Sequence, residues 1–145
     1  MNPITVLLAE DHAIVREGLL VLLNLEPDIQ VIGQAQNGRQ AVALASTLCP
    51  DVVIMDIAMP VLNGLEATRL ILQAAPATKV LILSAHSDDA YVGKVMALGA
   101  AGYLIKQTAS NLLVTAIREV NAGGPFFSPG ISAGIIENSL EVTII

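Results

Sequence analysis

The feature that most constrains the fold is a strict alternation of two hydrophobic periods. Short β-branched runs recur at residues 4–9, 30–35, 51–55, 79–84 and 102–105. The first, third and fourth are nearly continuously apolar, as strands buried on both faces are. Helical patterns separate them. Val15, Leu19, Leu22 and Leu23 recur at i, i+4, i+7 and i+8, while Ala41, Leu44, Ala45 and Leu48 recur at i, i+3, i+4 and i+7. Leu113, Ala116, Ile117 and Val120 repeat the second spacing. Weaker stripes are Leu65, Thr68, Leu72 and then Val92, Val95, Met96. Five strands and five helices in βα order predict an α/β chain, with a parallel sheet covered on both faces.

A chain of 145 residues that is 54% hydrophobic can bury such a sheet as one domain. Its mean hydropathy of +0.68 raises the question of a membrane. Asp56 interrupts the run at 52–55 and Asn24 ends the run at 19–23, so no stretch nears the roughly 18 apolar residues of a spanning helix. The first residues have no basic stretch before their apolar run and meet Glu10-Asp11 at once, which reads as a strand rather than a leader. No membrane partner is expected. The single cysteine, Cys49, rules out an internal disulfide and fits a cytoplasmic protein in a reducing compartment. It reads as a small buried apolar residue. The net charge of −6 sets the chain against phosphate backbones, so this segment is not expected to grip DNA by itself.

Glycines punctuate the helix ends: Gly99 and Gly102 after the fourth, Gly123 and Gly124 after the fifth. The domain is therefore expected to span 1–124, with 125–145 a linker segment. In that segment Ser128 and Pro129 would start a short sixth helix carrying Ile131, Ile135, Ile136 and Leu140.

Ligand groups of an open parallel sheet gather at the carboxyl ends of its strands. Here the first run ends in Glu10-Asp11, the third in Asp56 and the fourth in Ser84, and Lys106 follows the fifth. Three carboxylates, a hydroxyl and an ammonium thus meet on one rim. Clustered carboxylates repel one another unless a cation lies among them, and an all-oxygen set suits a hard ion such as Mg²⁺. A carboxylate can also accept a phosphoryl group. Transfer to so weak a nucleophile rests on positioning and charge neutralisation, which a metal on one side and a lysine on the other supply. Each residue alone has a plainer reading: a helix cap for Glu10-Asp11 or Ser84, a surface group for Lys106. Their ordered combination is the specific signal. His12 reads as a first-turn helix residue, with a place near the metal as the alternative, His86 as a solvated loop residue, and Asp88-Asp89 as the acidic start of the fourth helix.

With these residues placed, the chain resembles the response-regulator receiver family over roughly residues 3–123. The resemblance is carried by Glu10-Asp11, by Asp56-Ile57-Ala58-Met59-Pro60 with Gly64, by Ser84-Ala85 and by Gly102-Tyr103-Leu104-Ile105-Lys106. The stretches 97–106 and 116–124 resemble the NarL/FixJ subfamily, whose members usually carry a C-terminal LuxR-type helix-turn-helix. The resemblance implies a flavodoxin-like, CheY-like doubly wound sheet of strand order 2-1-3-4-5. It implies that a sensor histidine kinase phosphorylates Asp56. Mg²⁺ would be held by Asp11, Asp56 and the Ala58 carbonyl, with Glu10 acting through water. Lys106 would pair with the phosphoryl group, and Ser84 and Tyr103 would act as the switch. Gly64 and Pro60 would shape the loop after the acceptor. The expected readout is a phosphorylation-dependent homodimer through the face of the fourth helix, fifth strand and fifth helix, with Tyr91, Lys94, Tyr103 and Arg118 on its surface. DNA would be reached only through a domain absent from this chain.

Two rivals stand beside this reading. A stand-alone receiver would act by protein–protein contact alone. A small doubly wound hydrolase using an aspartyl-phosphate would be an enzyme, but such enzymes commonly place a second acid two residues past the nucleophile, where this chain has Ala58. Only slow self-dephosphorylation is therefore expected.

Overall fold

The computed structural model describes residues 2–86 and 89–129. Its strands are β1 (Ile4–Ala9), β2 (Ile29–Ala35), β3 (Val52–Asp56), β4 (Lys79–Ser84), β5 (Gly102–Ile105) and β6 (Phe126–Phe127). The helices are α1 (Ala13–Asn24), α2 (Gly38–Leu48), α3 (Gly64–Ala74), α4 (Asp89–Met96) and α5 (Ala109–Asn121), with one 3₁₀ turn at Lys106–Thr108. All strand pairs are parallel, in the order β2-β1-β3-β4-β5-β6. The five expected strands stand in the expected order, and a sixth extends the edge beyond β5.

Strand periodicity sorts the core into two layers. Leu7, Val53, Met55, Val80 and Ile82 face α2, α3 and α4, meeting Ala41, Ala45, Ala67, Ile71, Val92 and Val95. Val6, Leu8, Val52, Ile54, Leu81 and Leu83 face α1 and α5, meeting Leu19, Leu23, Leu113, Ala116, Ile117 and Val120. All four stripe residues of α5 are fully buried, each worth about 1.5–3 kcal/mol for the larger side chains. The α1 stripe is buried only at Leu19 and Leu23, and Val15 is exposed. Asn37 and Asn63 cap α2 and α3 by accepting from the Gln40 and Glu66 amides, about 1 kcal/mol each.

Several expectations change. Phe126 and Phe127 pair with Gly102 and Tyr103, so the sheet runs past residue 124. A Cβ on Gly102 would lie 2.7 Å from the Phe126 carbonyl oxygen, so the strand joins only because that position is glycine. Ser128 is buried; its amide donates to the Tyr103 carbonyl and its Oγ accepts from the Ile105 amide. The sixth helix expected after it lies outside the described residues, as does Asp88. Cys49 is exposed rather than buried, because it ends α2 in a left-handed conformation (φ 49°) that turns it out of the helix face. Tyr103 is fully buried, not on the surface, since it stands on the inward register of β5. Arg118 is exposed, as expected, and donates to Asp28 and Glu26 in the α1–β2 connection. Those contacts lower the Asp28 pKa and raise that of Arg118. No helix of the described residues is long and apolar enough to cross a membrane.

Candidate functional site

The chain leaves β1 for β2 on one side and returns to β3 on the other, so a crevice opens at the ends of β1 and β3. Glu10 and Asp11 follow β1, and Asp56 is the last residue of β3. Glu10 is completely buried and Asp56 is 1% exposed. Lys106 enters from the end of β5, its Nζ 3.1 Å from Asp56 Oδ2 and 3.3 Å from Glu10 Oε2. The ammonium thus sits between the two most buried acids.

The loop after Asp56 is held tightly. The Ala58 amide donates to Asp56 Oδ1, the Ile57 amide to the Leu83 carbonyl, and the Gly64 amide to the Ile57 carbonyl. A Cβ on Gly64 would sit 2.2 Å from the Asp56 carbonyl oxygen, so α3 can start against Asp56 only with glycine there. Between them Val61 adopts φ 70° while exposed, an unusual conformation for a β-branched residue. Asp56, Ala58, Ser84, His86 and Lys106 line one small cleft. Ser84 is buried, and its Oγ accepts from the His86 amide. The Tyr103 hydroxyl donates to the His86 carbonyl at 2.7 Å, tying β5 to the loop after β4. His86 is exposed in the loop after β4, as expected, and its ring lies 4.6 Å from that of Tyr91.

Electrostatics follow from this crowding. Burial, then repulsion from Glu10, raises the Asp56 pKa against the opposing pull of Lys106. Burial works to lower the Lys106 pKa, but Asp56 and Glu10 together outweigh it and raise it. Glu10 Oε2 and Asp56 Oδ2 are buried oxygens that share the Lys106 ammonium, and buried Asp11 Oδ1 faces His12 Nδ1 at 3.3 Å; none of the three accepts a well-directed hydrogen bond. Three carboxylates thus crowd around one ammonium, and a bound cation is one way to offset the remaining negative charge. One ligand atom each from Glu10, Asp11, His12 and Asp56 lie within 4.8 Å of one another. The donor set fits a divalent cation.

Each expected site residue is therefore on the rim or directly behind it. Two further residues join the rim: His12, for which a place near the metal is the alternative reading of the sequence, and Arg16, which was not expected there. His12 is the N-cap of α1 but makes no side-chain cap bond; its Nδ1 lies 3.0 Å from Glu10 Oε1. Arg16 donates from NH1 to the Glu10 carbonyl at 2.8 Å and so steadies the loop that carries both acids. The spacing offers a signal for Arg16 only in retrospect, since one helical turn past residue 12 returns it to the rim.

Residues 6–118 match the response regulator receiver domain family. Over 136 residues the chain is 40% identical to the transcriptional regulatory protein DegU of Brevibacillus brevis, covering 94% of this chain and 58% of DegU. Over 138 residues it is 39% identical to the response regulator UvrY of Escherichia coli strain K12, covering 95% of this chain and 63% of UvrY. The chain thus spans less than two thirds of these relatives. A crystal structure of a LuxR-family two-component response regulator from Aurantimonas sp. SI85-9A1 superposes with a TM-score of 0.87 at 35% identity, over 96% of this chain and 99% of that one. The receiver domain of a NarL response regulator from Mycobacterium tuberculosis gives 0.81 at 31% identity, over 85% of this chain and 99% of that one.

Proposed function

Because the chain belongs to the response regulator receiver domain family, we propose that Asp56 accepts a phosphoryl group from a sensor histidine kinase and that the charge so placed is read as a signal. The relatives are regulators rather than enzymes, and the chain is a receiver of their LuxR/NarL type. The observation that carries the proposal is Asp56 itself: a buried carboxylate with one oxygen bonded to the Ala58 amide and the other facing Lys106, beside Glu10 and Asp11.

In this reading Asp56 Oδ2 attacks phosphorus, the bond from phosphorus to the kinase imidazole breaks, and the imidazole leaves with its electron pair. Asp11, Asp56 and the Ala58 carbonyl would hold Mg²⁺, with Glu10 contributing through water; the ion would neutralise charge on the transferring oxygens. Lys106 already sits beside the attacking oxygen and pairs with the new phosphoryl group. The buried, partly desolvated setting strengthens both effects. Ser84 exchanges its bond from the His86 amide for one to a phosphoryl oxygen, and Tyr103, bonded to the same His86 backbone, carries the change into β5. Ala58 provides no second acid to activate water, in keeping with slow hydrolysis. The altered α4–β5–α5 face drives homodimerisation, and the whole regulator controls transcription through a C-terminal LuxR-type DNA-binding domain.

Incubation with acetyl phosphate and Mg²⁺ tests the assignment. Wild type should acquire one acid-stable, base-labile phosphoryl group and Asp56→Asn none; undiminished labelling of the variant overturns it. Sedimentation with and without a beryllofluoride phosphoryl mimic tests the assembly, and identical sedimentation counts against the dimer.

A further inference from the structure

The four ligand atoms that cluster at the rim include a nitrogen, and the carboxylates alone do not account for it. Among the described residues His12 has no capping duty: its backbone is extended (φ −81°, ψ 112°) and its ring bonds no amide of α1. The ring turns back over the rim instead, with Nδ1 3.0 Å from Glu10 Oε1 and 3.3 Å from Asp11 Oδ1. Its side chain is 62% exposed, so one ring edge faces the acids while the rest meets solvent. Glu10 and Asp56, by contrast, are almost wholly buried and direct carboxylate oxygens into the same space, where they share the Lys106 ammonium.

Donors on opposite sides of one small divalent ion lie roughly 4.2 Å apart, twice a metal–oxygen distance of about 2.1 Å. A set already confined within 4.8 Å needs only a slight contraction to close on one ion. Resting on the receiver reading above, we propose that His12 is a direct ligand of the rim cation, making the site a mixed carboxylate–imidazole centre that takes Mn²⁺ in preference to Mg²⁺. The chemistry is that of ligand softness: Mg²⁺ takes oxygen donors and holds its waters, whereas imidazole favours first-row transition ions. The solvated ring edge gives an incoming aqueous ion a path past His12 to the buried acids.

Pulsed electron paramagnetic resonance of Mn²⁺ bound to the intact chain reads the ligand directly, because a coordinated imidazole gives a nitrogen modulation that a merely adjacent ring does not. The chain has two histidines, so His86→Ala serves as the control. The expected result is nitrogen coupling in wild type and His86→Ala and none in His12→Ala. Titration should show Mn²⁺ affinity falling about tenfold or more in His12→Ala, with Mg²⁺ affinity changed less. Bound Mn²⁺ without nitrogen coupling, or equal losses for the two ions, overturns His12 as a ligand while leaving the receiver reading intact. Failure of wild type to bind either ion overturns both.

Discussion

Lys106 Nζ stands 3.1 Å from Asp56 Oδ2, joining a residue just past β5 to the last residue of β3 across the intervening β4. The ammonium does not fully offset the cost of charging Asp56, because burial and Glu10 oppose it. The site is thus held under electrostatic tension that a further cation relieves.

That tension has a pH signature. A carboxyl whose folded pKa is raised binds its proton more tightly in the folded than in the unfolded chain, so it favours folding below its ordinary value. The contribution is lost as pH rises through the raised folded value. At neutral pH without divalent cation, charged Asp56 is a cost, and Asp56→Asn should melt higher than wild type. The difference should shrink toward acidic pH and on adding saturating Mg²⁺. Thermal melts in chelator across pH check this, and a lower-melting variant at pH 7 contradicts it.

Gly64→Ala would drive a Cβ to within 2.2 Å of the Asp56 carbonyl oxygen and 2.8 Å of Ile57 Cα, both backbone atoms that cannot swing away. The expected cost is about 3 kcal/mol, with weaker acceptor labelling because the end of β3 must shift. Gly18→Ala is the counterpart: nothing lies within 4 Å of its Cβ position in α1, and it should stabilise by about 0.5–1 kcal/mol. Urea denaturation of the two variants should separate in sign.

Val61, at φ 70° in the acceptor loop, stores backbone strain in an exposed residue. Val61→Gly should relieve it and stabilise by about 1 kcal/mol, net of the glycine's greater unfolded-state freedom. Calorimetry should show a rise of about 3 °C. An unchanged or lower melting temperature contradicts the assignment of strain.

How far the sequence reached can be judged from these residues. The bounds 4–9, 79–84 and 102–105 coincide with β1, β4 and β5, because apolar runs between turn signals fix buried strands sharply. The rim followed from those bounds, since an acid one residue past a strand has one place to go. Tyr103 was placed on the surface with the face the resemblance implies; β5 holds it inward, and its hydroxyl reaches the His86 carbonyl from there. The partners of Arg118 lie about 90 residues away in sequence, beyond the reach of any helical pattern. A strand of two residues has no period to read, so β6 was invisible. His12 does stand at the helix start, and which way its ring turns, back toward Glu10, is set by tertiary geometry that sequence spacing does not carry.

Ser128→Ala would leave the Ile105 amide unsatisfied next to Lys106. The expected loss is about 1–3 kcal/mol. Hydrogen exchange at Ile105 should quicken while that of β1 keeps its wild-type ratio to global unfolding. Unaltered protection at Ile105 would show that the serine oxygen is dispensable.

The Phe126–Phe127 strand also has a meaning for the molecule's margins. It covers the outer side of β5 at Gly102 and Tyr103, whose amides and carbonyls would otherwise face water. A chain cut at residue 124 would bare that side, and a bared flat strand is a template on which other chains can add. The two phenylalanines thus serve as a selvedge: they cover the outer side of Gly102 and Tyr103 and tie residues 126 and 127 to the sheet itself.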